Sequence, residues 1–138
     1  MFGILRASIA LLAVSLSFAG EKEVAYGKYL AEEVSKCQEC HTPKTATGEL
    51  DKTKWMKGAT LDFQPVTPAD KWYERWHKTS PDITPSGRLW QRWGEKAMLE
   101  YLQTGLTPKG KPADPPMPAY KLKKADAEAM MEYLKSLK

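Results

Sequence analysis

The pentapeptide Cys37-Gln38-Glu39-Cys40-His41 contains both cysteines of the chain and one of its two histidines. Two thiols at this spacing can add to the two vinyl groups of one porphyrin, and the adjacent histidine can then bind the iron as its proximal ligand. C-x-x-C-H is the attachment signature of c-type haem. The sequence therefore predicts one covalently attached haem held by Cys37, Cys40 and His41.

Three other uses of the cysteine pair fit less well. A structural disulfide would close so short a loop that it would restrict the unfolded chain little. A thioredoxin-like redox pair would need a surrounding βαβ pattern, and a zinc site would need a convincing fourth ligand. Haem attachment remains the best explanation, and the absence of a third cysteine limits the prediction to a single haem.

The first residues have the composition of a secretory signal peptide. Arg6 precedes an apolar run over residues 7–16, and Ser17-Phe18-Ala19 supplies small residues at the two positions that a signal peptidase reads. The run is shorter than the roughly 20 residues of a spanning helix, which disfavours the alternative of an uncleaved anchor. We expect residues 1–19 to be a signal peptide cleaved near Ala19, and residues 20–138 to be one monohaem domain in the periplasm without stable membrane insertion.

The charge of the chain argues against one class of partner. The formal net charge is +4, and it becomes +3 when Arg6 leaves with the signal peptide. Two haem propionates would offset most of this charge. The composition therefore gives no indication of nucleic-acid binding.

Apolar residues at helical spacing predict three helices. The first runs from about Lys22 to Ser35 into the haem motif, and the second covers Glu95–Thr104 and stops at Gly105. The third is at the C-terminus. Its apolar positions are Ala127, Met130, Met131, Leu134 and Leu137.

The segment from His41 to Pro85 is predicted to be mostly loop, because prolines and glycines interrupt it. A short helix across Pro68–His77 is the exception, and Thr107–Tyr120 is a second irregular stretch. The long loop holds many large aromatic residues, so a haem is the apolar body against which we expect it to pack. The fold prediction is all-α, with long ordered loops wrapped around one covalent haem and an apo chain that is largely unfolded.

Met117 is the predicted second axial ligand. It stands in Pro115-Pro116-Met117-Pro118, where the flanking prolines exclude an ordinary helix and stiffen the backbone. Such a stretch can present a thioether from a loop. The alternatives are His77 and Met56. The methionines on helix faces are expected to fill the core instead: Met98, Met130 and Met131.

These features together resemble a class I cytochrome c. The resemblance lies in the haem motif after an N-terminal helix, in Met117-Pro118-Ala119-Tyr120, and in the final helix ending Tyr133-Leu134-Lys135-Ser136-Leu137. It covers essentially all of the chain after the signal peptide. It implies the cytochrome c fold, in which the N- and C-terminal helices cross nearly at right angles. Gly27 would then be the point of close contact, facing Tyr133 or Leu134.

Two further stretches resemble one branch of that family. Ser80-Pro81-Asp82-Ile83-Thr84-Pro85 and Leu89-Trp90-Gln91-Arg92-Trp93 are similar to the Pro-Asn-Ile-Thr and Gly-Ile-Gly-x-Trp stretches of cytochrome domains that accept electrons from membrane-bound bacterial dehydrogenases. The chain departs from that pattern at Asp82, where asparagine is usual, and at Leu89-Trp90, where glycines are missing. The Trp55–His77 segment has no counterpart.

The resemblance also implies how the haem would be held. Trp93 and Thr84 are expected to hydrogen-bond a haem propionate, and Arg88 or Arg92 to pair with its charge. A backbone carbonyl is expected to orient His41, with Pro43 close enough in sequence to be considered. The haem-binding residues suggested by the sequence are Cys37, Cys40, His41, Ile83, Thr84, Arg88, Trp93 and Met117, with His41 and Met117 as the iron ligands.

The expected function is electron transfer and not catalysis. Thioether ligation and an apolar shell both favour the reduced iron, and an iron with both axial positions filled has no vacancy for substrate. The alternatives are an electron-accepting subunit of a dehydrogenase complex and a haem enzyme with a labile sixth ligand, such as a peroxidase. The chain is expected to be a monomer whose redox partners are acidic. They would dock on lysines near Met117: Lys109, Lys111, Lys121, Lys123 and Lys124.

Overall fold

The computed structural model describes residues 20–65 and 74–138 of the chain. The expected signal peptide, residues 1–19, lies outside the described residues. So does most of the helix expected across Pro68–His77, of which residue 74 alone is described as helical. Throughout these two stretches, each helix falls short of the length and apolarity that a membrane crossing needs.

Helices make up most of the regular structure in the described part of the chain. The N-terminal helix covers residues 20–34 and ends in a π-helical turn, Leu30–Val34. A single-turn helix, Cys37–His41, follows at once, and the longer helices are Arg88–Thr104 and Lys124–Ser136. The mostly helical fold predicted from the sequence is therefore confirmed.

The helix Arg88–Thr104 is longer than expected and is broken at Gly94, which has φ 75° and ψ 167°. The part after Gly94 is the predicted helix. It ends as predicted at Gly105, whose left-handed backbone lets its N–H donate to the carbonyl of Tyr101 at 2.8 Å. The part before Gly94 has fewer than two turns, too few for its apolar spacing to be recognised as a helix.

A small antiparallel sheet occurs where only loop was predicted. Ala59–Thr60 pairs with Thr79–Ser80, with Ala59 opposite Ser80. Two residues per strand are too few to show the alternation that identifies a strand in a sequence. The pairing matters because it joins the middle of the long loop to its last residues, of which Ser80 contacts the haem motif.

The N- and C-terminal helices meet at Gly27. A Cβ built there would lie 1.8 Å from the backbone oxygen of Ala129 and 3.0 Å from the backbone nitrogen of Met130, so only a hydrogen fits. Close contact at Gly27 is thus confirmed, but the partner is about one helical turn earlier than the expected Tyr133 or Leu134. All three residues are buried, and the small side chain of Ala129 allows a closer approach of the Gly27 backbone than the larger side chains of Tyr133 and Leu134 would.

Trp55 joins the long loop to both terminal helices. Its Nε1 donates to the hydroxyl of Tyr133 at 3.0 Å and to a carboxylate oxygen of Glu32 at 3.1 Å. The hydroxyl of Tyr133 in turn donates to Glu32. Burial raises the pKa of Tyr133, so its hydroxyl remains a donor at neutral pH. The first residue of the Trp55–His77 segment therefore has a structural role, because it links the N- and C-terminal helices.

Candidate functional site

Cys37 and Cys40 occupy one side of the single-turn helix Cys37–His41, because residues three positions apart are neighbours on a helix. Each cysteine is partly exposed, and the two do not form a disulfide. Burial raises the pKa of Cys37 to about 11 and also raises the pKa of Cys40. Both are therefore protonated thiols at neutral pH, presented at the spacing that addition to two vinyl groups of one porphyrin requires.

His41 is buried, with 5% of its surface exposed. Its Nδ1 lies 2.8 Å from the carbonyl oxygen of Pro81, and since a carbonyl only accepts, the ring donates from Nδ1. Nε2 then carries the lone pair, and it has no hydrogen-bond partner among residues 20–65 and 74–138. Burial lowers the pKa of His41, which keeps the ring neutral. A neutral, oriented imidazole with an unused nitrogen is suited to binding iron.

A backbone carbonyl orients His41, as predicted, and it belongs to Pro81 and not to Pro43, the carbonyl considered from nearness in sequence. The carbonyl of Pro43 accepts the N–H of Asp51 at 2.8 Å instead. Ser80, paired in the small sheet, donates its hydroxyl to the carbonyl of Cys40, which holds Pro81 beside the motif. This partner comes from a distant part of the chain, so nearness in sequence could not identify it.

Residues 56–58 hydrogen-bond to the C-terminal end of the helix Cys37–His41. The N–H of Gly58 donates to the carbonyl of His41 at 2.7 Å, and the N–H of Met56 donates to the hydroxyl of Thr42 at 3.0 Å. The carbonyl of Met56 accepts the N–H of Ile83 at 3.0 Å. Residues 56–58 therefore tie the motif to the segment that follows Pro81.

Asp82 and Thr84 form a local turn. A carboxylate oxygen of Asp82 accepts the N–H of Thr84 at 2.8 Å and its hydroxyl at 2.7 Å. The Thr84 hydroxyl also accepts a hydrogen bond from Lys57 at 3.0 Å, and Lys57 donates to Ser86 at 2.8 Å. The hydroxyl hydrogen of Thr84, expected on a propionate, is thus directed to Asp82. Lys57 is a charged residue of the site that no motif in the sequence pointed to.

The other expected haem contacts lie on the same stretch of chain. Ile83 is buried in the core, and Trp93 packs edge-on against Tyr101 with ring centroids 5.8 Å apart. Arg88 and Arg92 are exposed and have no ion pair or hydrogen-bonded side chain within the described stretches. Both guanidinium groups are therefore available to an anion.

The segment carrying Met117 is joined to both the Trp93 region and the haem motif. The hydroxyl of Tyr101, the ring that packs on Trp93, donates to the carbonyl of Pro118 at 2.8 Å. The hydroxyl of Tyr120 donates to the carbonyl of Ser35, two residues before Cys37, at 3.0 Å. Met117 itself is half-buried. The tertiary structure thus connects the two segments that the sequence singled out.

The alternative ligands have other surroundings. Met56 is fully buried in the core cluster, and its backbone is tied to Thr42, on the His41 side of the site. His77 is largely exposed, and its Nε2 lies 3.3 Å from a carboxylate oxygen of Asp114. Met56 therefore packs in the core and His77 contacts Asp114, so neither side chain is as available to an iron as that of Met117.

The donor set fits a c-type haem. It offers two thiols on one side of a short helix, a neutral imidazole with an unpartnered nitrogen, and a half-buried thioether on a segment tied back to the motif. Cys37 and Cys40 would hold the porphyrin covalently and His41 would bind the iron. Arg88 and Arg92, which are expected to pair with the propionate charges, lie on the helix Arg88–Thr104.

Comparison with known proteins agrees with this site. The chain is 34% identical over 114 residues to a diheme cytochrome c-type protein of Cereibacter sphaeroides, covering 79% of this chain and 33% of that protein. It is 28% identical over 118 residues to the fructose dehydrogenase cytochrome subunit of Gluconobacter japonicus, covering 80% of this chain and 21% of that subunit. The chain thus spans a third or less of the length of these curated relatives.

The family assignment rests on a broader match. The family model described as cytochrome c matches residues 24–138, which include the motif, the Pro81–Thr84 turn, Met117 and the C-terminal helix. The chain therefore belongs to the cytochrome c family, whose members carry covalently bound haem c and transfer electrons between redox protein partners.

Proposed function

We propose that this chain is a single-electron carrier with one haem, attached through Cys37 and Cys40 and ligated by His41 and Met117. The observation that carries the proposal is the hydrogen bond from His41 Nδ1 to Pro81, which leaves Nε2 unpartnered among the described residues. Haem, when bound, supplies reversible one-electron chemistry at its iron. The remaining argument concerns what the residues of this chain do.

Met117 is the better second ligand because its segment is held from two directions. Tyr101 donates to the carbonyl of Pro118 and Tyr120 donates to the carbonyl of Ser35, so the backbone that follows Met117 is tied to two different parts of the site. Met56 is disfavoured because its backbone is bonded to Thr42, the residue after His41, and its side chain is fully buried in the core cluster. His77 is disfavoured because its ring faces Asp114 at the surface.

The residues proposed to hold the haem also favour its reduced state. A thioether ligand raises the potential relative to a second imidazole. Burial of His41 and Ile83 gives the site an apolar environment, which penalises the additional charge of the oxidised iron. If His41 and Met117 both bound the iron, no position on it would be open to substrate, which supports a carrier and not an enzyme.

A single haem is supported by the two cysteines of the chain, both of which stand in the one motif. The relative from Cereibacter sphaeroides is named a diheme protein, but this chain covers only 33% of its length. One motif per matched region is consistent with one haem per domain. Export to the periplasm, after cleavage near Ala19, is supported by the composition of residues 1–19.

The lysines near Met117 support docking to an acidic redox partner. Lys109, Lys111, Lys121, Lys123 and Lys124 are all exposed. Lys124 is paired with Glu128 at 2.7 Å, and Asp114, the one acidic residue in residues 107–124, has its charge paired with Arg75. The net field of this surface is therefore positive, which would steer an acidic partner towards it. We propose that the chain docks there as a monomer.

A second candidate is an electron-accepting subunit of a dehydrogenase complex. It is favoured by the relative named fructose dehydrogenase cytochrome subunit, which this chain matches over 118 residues. The chemistry would be the same and the partner would be permanent. Native purification separates the two, because a subunit would elute in a stable stoichiometric complex and a carrier would elute alone.

Substitution of Met117 tests the proposed ligation. Met117→Ala should abolish the weak long-wavelength absorption band of sulfur bonded to ferric iron, and it should lower the midpoint potential, because thioether ligation is lost. Met56→Leu serves as the matched control and should keep the band. An unchanged spectrum in Met117→Ala would transfer the ligation to Met56 or His77.

A further inference from the structure

A group of polar side chains joins the Trp55–His77 segment to the segment that carries Met117. The Nε of Arg75 donates to Oδ1 of Asp114 at 2.7 Å, and a second guanidinium nitrogen donates to the same oxygen. The Nε2 of His77 lies 3.3 Å from the other carboxylate oxygen, Oδ2. Both oxygens of Asp114 are therefore contacted from a part of the chain that is distant in sequence.

A backbone contact accompanies these side-chain contacts. The N–H of His77 donates to the carbonyl of Pro115 at 2.8 Å. The carbonyl of Asp114, for its part, accepts the N–H of Met117 at 3.3 Å. Asp114 thus contacts Arg75 and His77 through its side chain and Met117 through its backbone.

The residues before Met117 and the residues after it are held by different parts of the chain. On the C-terminal side, Tyr101 holds Pro118 and Tyr120 holds Ser35. On the N-terminal side, the hydrogen bonds that residues 113–116 make outside their own segment, within the described chain, all go to Arg75 and His77. The position of the backbone of residues 113–116, which precede Met117, therefore depends on Arg75 and His77.

We propose that Arg75, His77 and Asp114 form a clip that positions Met117 as an iron ligand. The inference rests on the proposed function, in which Met117 is that ligand. Arg75 and Asp114 are positioning residues, because they act through the backbone of residues 114–117. By restricting this backbone, the clip reduces the entropy that the segment loses when its thioether is held in place. It also gives a role to part of the Trp55–His77 segment.

The solvent exposure of Arg75 and Asp114 indicates how strongly their ion pair can restrain Met117. The side chains of Arg75 and Asp114 are 48% and 36% exposed, and ion pairs at such positions are weak. Breaking the pair should therefore loosen Met117 without unfolding the protein. An external ligand that competes with Met117 for the iron should bind about two- to fivefold more tightly.

Imidazole binding to the ferric holoprotein provides the measurement. In Asp114→Asn, imidazole should displace Met117 at about two- to fivefold lower concentration, monitored by loss of the long-wavelength band. The matched control is Asp62→Asn, which breaks the exposed loop ion pair between Lys44 and Asp62 at 2.7 Å; neither residue hydrogen-bonds or ion-pairs with residues 113–118 in the described chain. The control should leave imidazole affinity unchanged.

The direction of the potential shift provides an independent readout. Removing a carboxylate charge by itself disfavours the oxidised centre and raises the midpoint potential. Loosening the thioether lowers the potential. We expect Asp62→Asn to raise the midpoint potential slightly and Asp114→Asn to lower it. A purely electrostatic or structural role for Asp114 would not produce this difference in sign.

Variants of Arg75 complete the test. Arg75→Gln should raise imidazole affinity as much as Asp114→Asn does. The double variant should bind imidazole no more tightly than either single variant, because both substitutions break the same ion pair. Arg75→Lys should retain an imidazole affinity close to that of the wild type. If Asp114→Asn and Arg75→Gln bind imidazole as Asp62→Asn does, the clip is refuted, while loss of the band in Met117→Ala still supports the ligand. If Met117→Ala keeps the band, the ligand assignment fails and the clip with it.

Discussion

The hydroxyl of Tyr120 donates to the backbone oxygen of Ser35 at 3.0 Å, across 85 positions of sequence. The hydroxyl of Tyr101 similarly donates to Pro118 at 2.8 Å. These two phenols link the segment of Met117 to the start of the haem motif and to the helix that carries Trp93. Each contact needs the phenol to keep its proton.

Alkaline pH should weaken both contacts. Burial raises the pKa of Tyr101 and of Tyr120 to about 12, above the ordinary value of 10.0. A raised pKa adds stability that is fully present below pH 10 and is lost as the pH rises towards 12. We therefore expect the denaturation midpoint of the holoprotein to fall over this range, and to fall less steeply in Tyr101→Phe and Tyr120→Phe.

Chemical denaturation at a series of pH values measures this effect. Tyr29→Phe is the control, because Tyr29 is exposed and its hydroxyl makes no hydrogen bond within the described residues. The control should have the pH profile of the wild type. If both buried-tyrosine variants also keep the wild-type slope, the loss of stability comes from other groups.

Gly27→Ala should separate the terminal helices. The added methyl would lie 1.8 Å from the backbone oxygen of Ala129, and backbone cannot move aside as a flexible side chain can. Overpacking of this kind costs about 1–3 kcal/mol of unfolding free energy or more, which exceeds the gain of up to about 1 kcal/mol from replacing glycine in a helix. Gly20→Ala, where a Cβ meets nothing within 4 Å, should be close to neutral in the same denaturation experiment.

Replacement of both motif cysteines tests covalent attachment. In Cys37→Ser with Cys40→Ser, haem should be lost on denaturation, because no thioether bond remains. The apo chain should have much less helix by circular dichroism, since its long loop would have no haem to pack against. Met117→Ala is the control and should keep its haem through denaturation. Covalent haem in the double variant would refute the attachment proposed here.

The positive surface near Met117 should respond to salt. Reduced protein should be oxidised by anionic ferricyanide at a rate that falls with ionic strength, because the lysines attract the reagent. Replacing Lys109, Lys121 and Lys123 with glutamine should slow the reaction roughly two- to tenfold at low salt. Stopped-flow absorbance measures both effects.

Charge removal elsewhere provides the comparison. Lys96→Gln removes an exposed lysine that lies 3.8 Å from Glu100 on the helix Arg88–Thr104. It should leave the ferricyanide rate close to that of the wild type. A rate that is independent of ionic strength, or equal slowing by Lys96→Gln, would argue against a docking surface around Met117.

The parts of the fold that could be predicted depend on neighbours in sequence. The N-terminal helix, the stop at Gly105 and the C-terminal helix follow from apolar spacing and from glycine at a helix end. The strands Ala59–Thr60 and Thr79–Ser80 could not be predicted, because pairing two residues with two depends on the rest of the chain bringing them together. The helical segment before Gly94 was too short for its period to be recognised.

The sequence by itself determined the chemistry of this protein. Cys37, Cys40 and His41 lie within one helical turn, so their order in the chain already sets the geometry of haem attachment, and the prolines around Met117 act on its own backbone. Only the tertiary structure decided which partners support these groups: Pro81 for His41, Ala129 for Gly27 and Arg75 for Asp114. The physical reason is that these contacts join distant segments, and their formation depends on the packing of the whole chain.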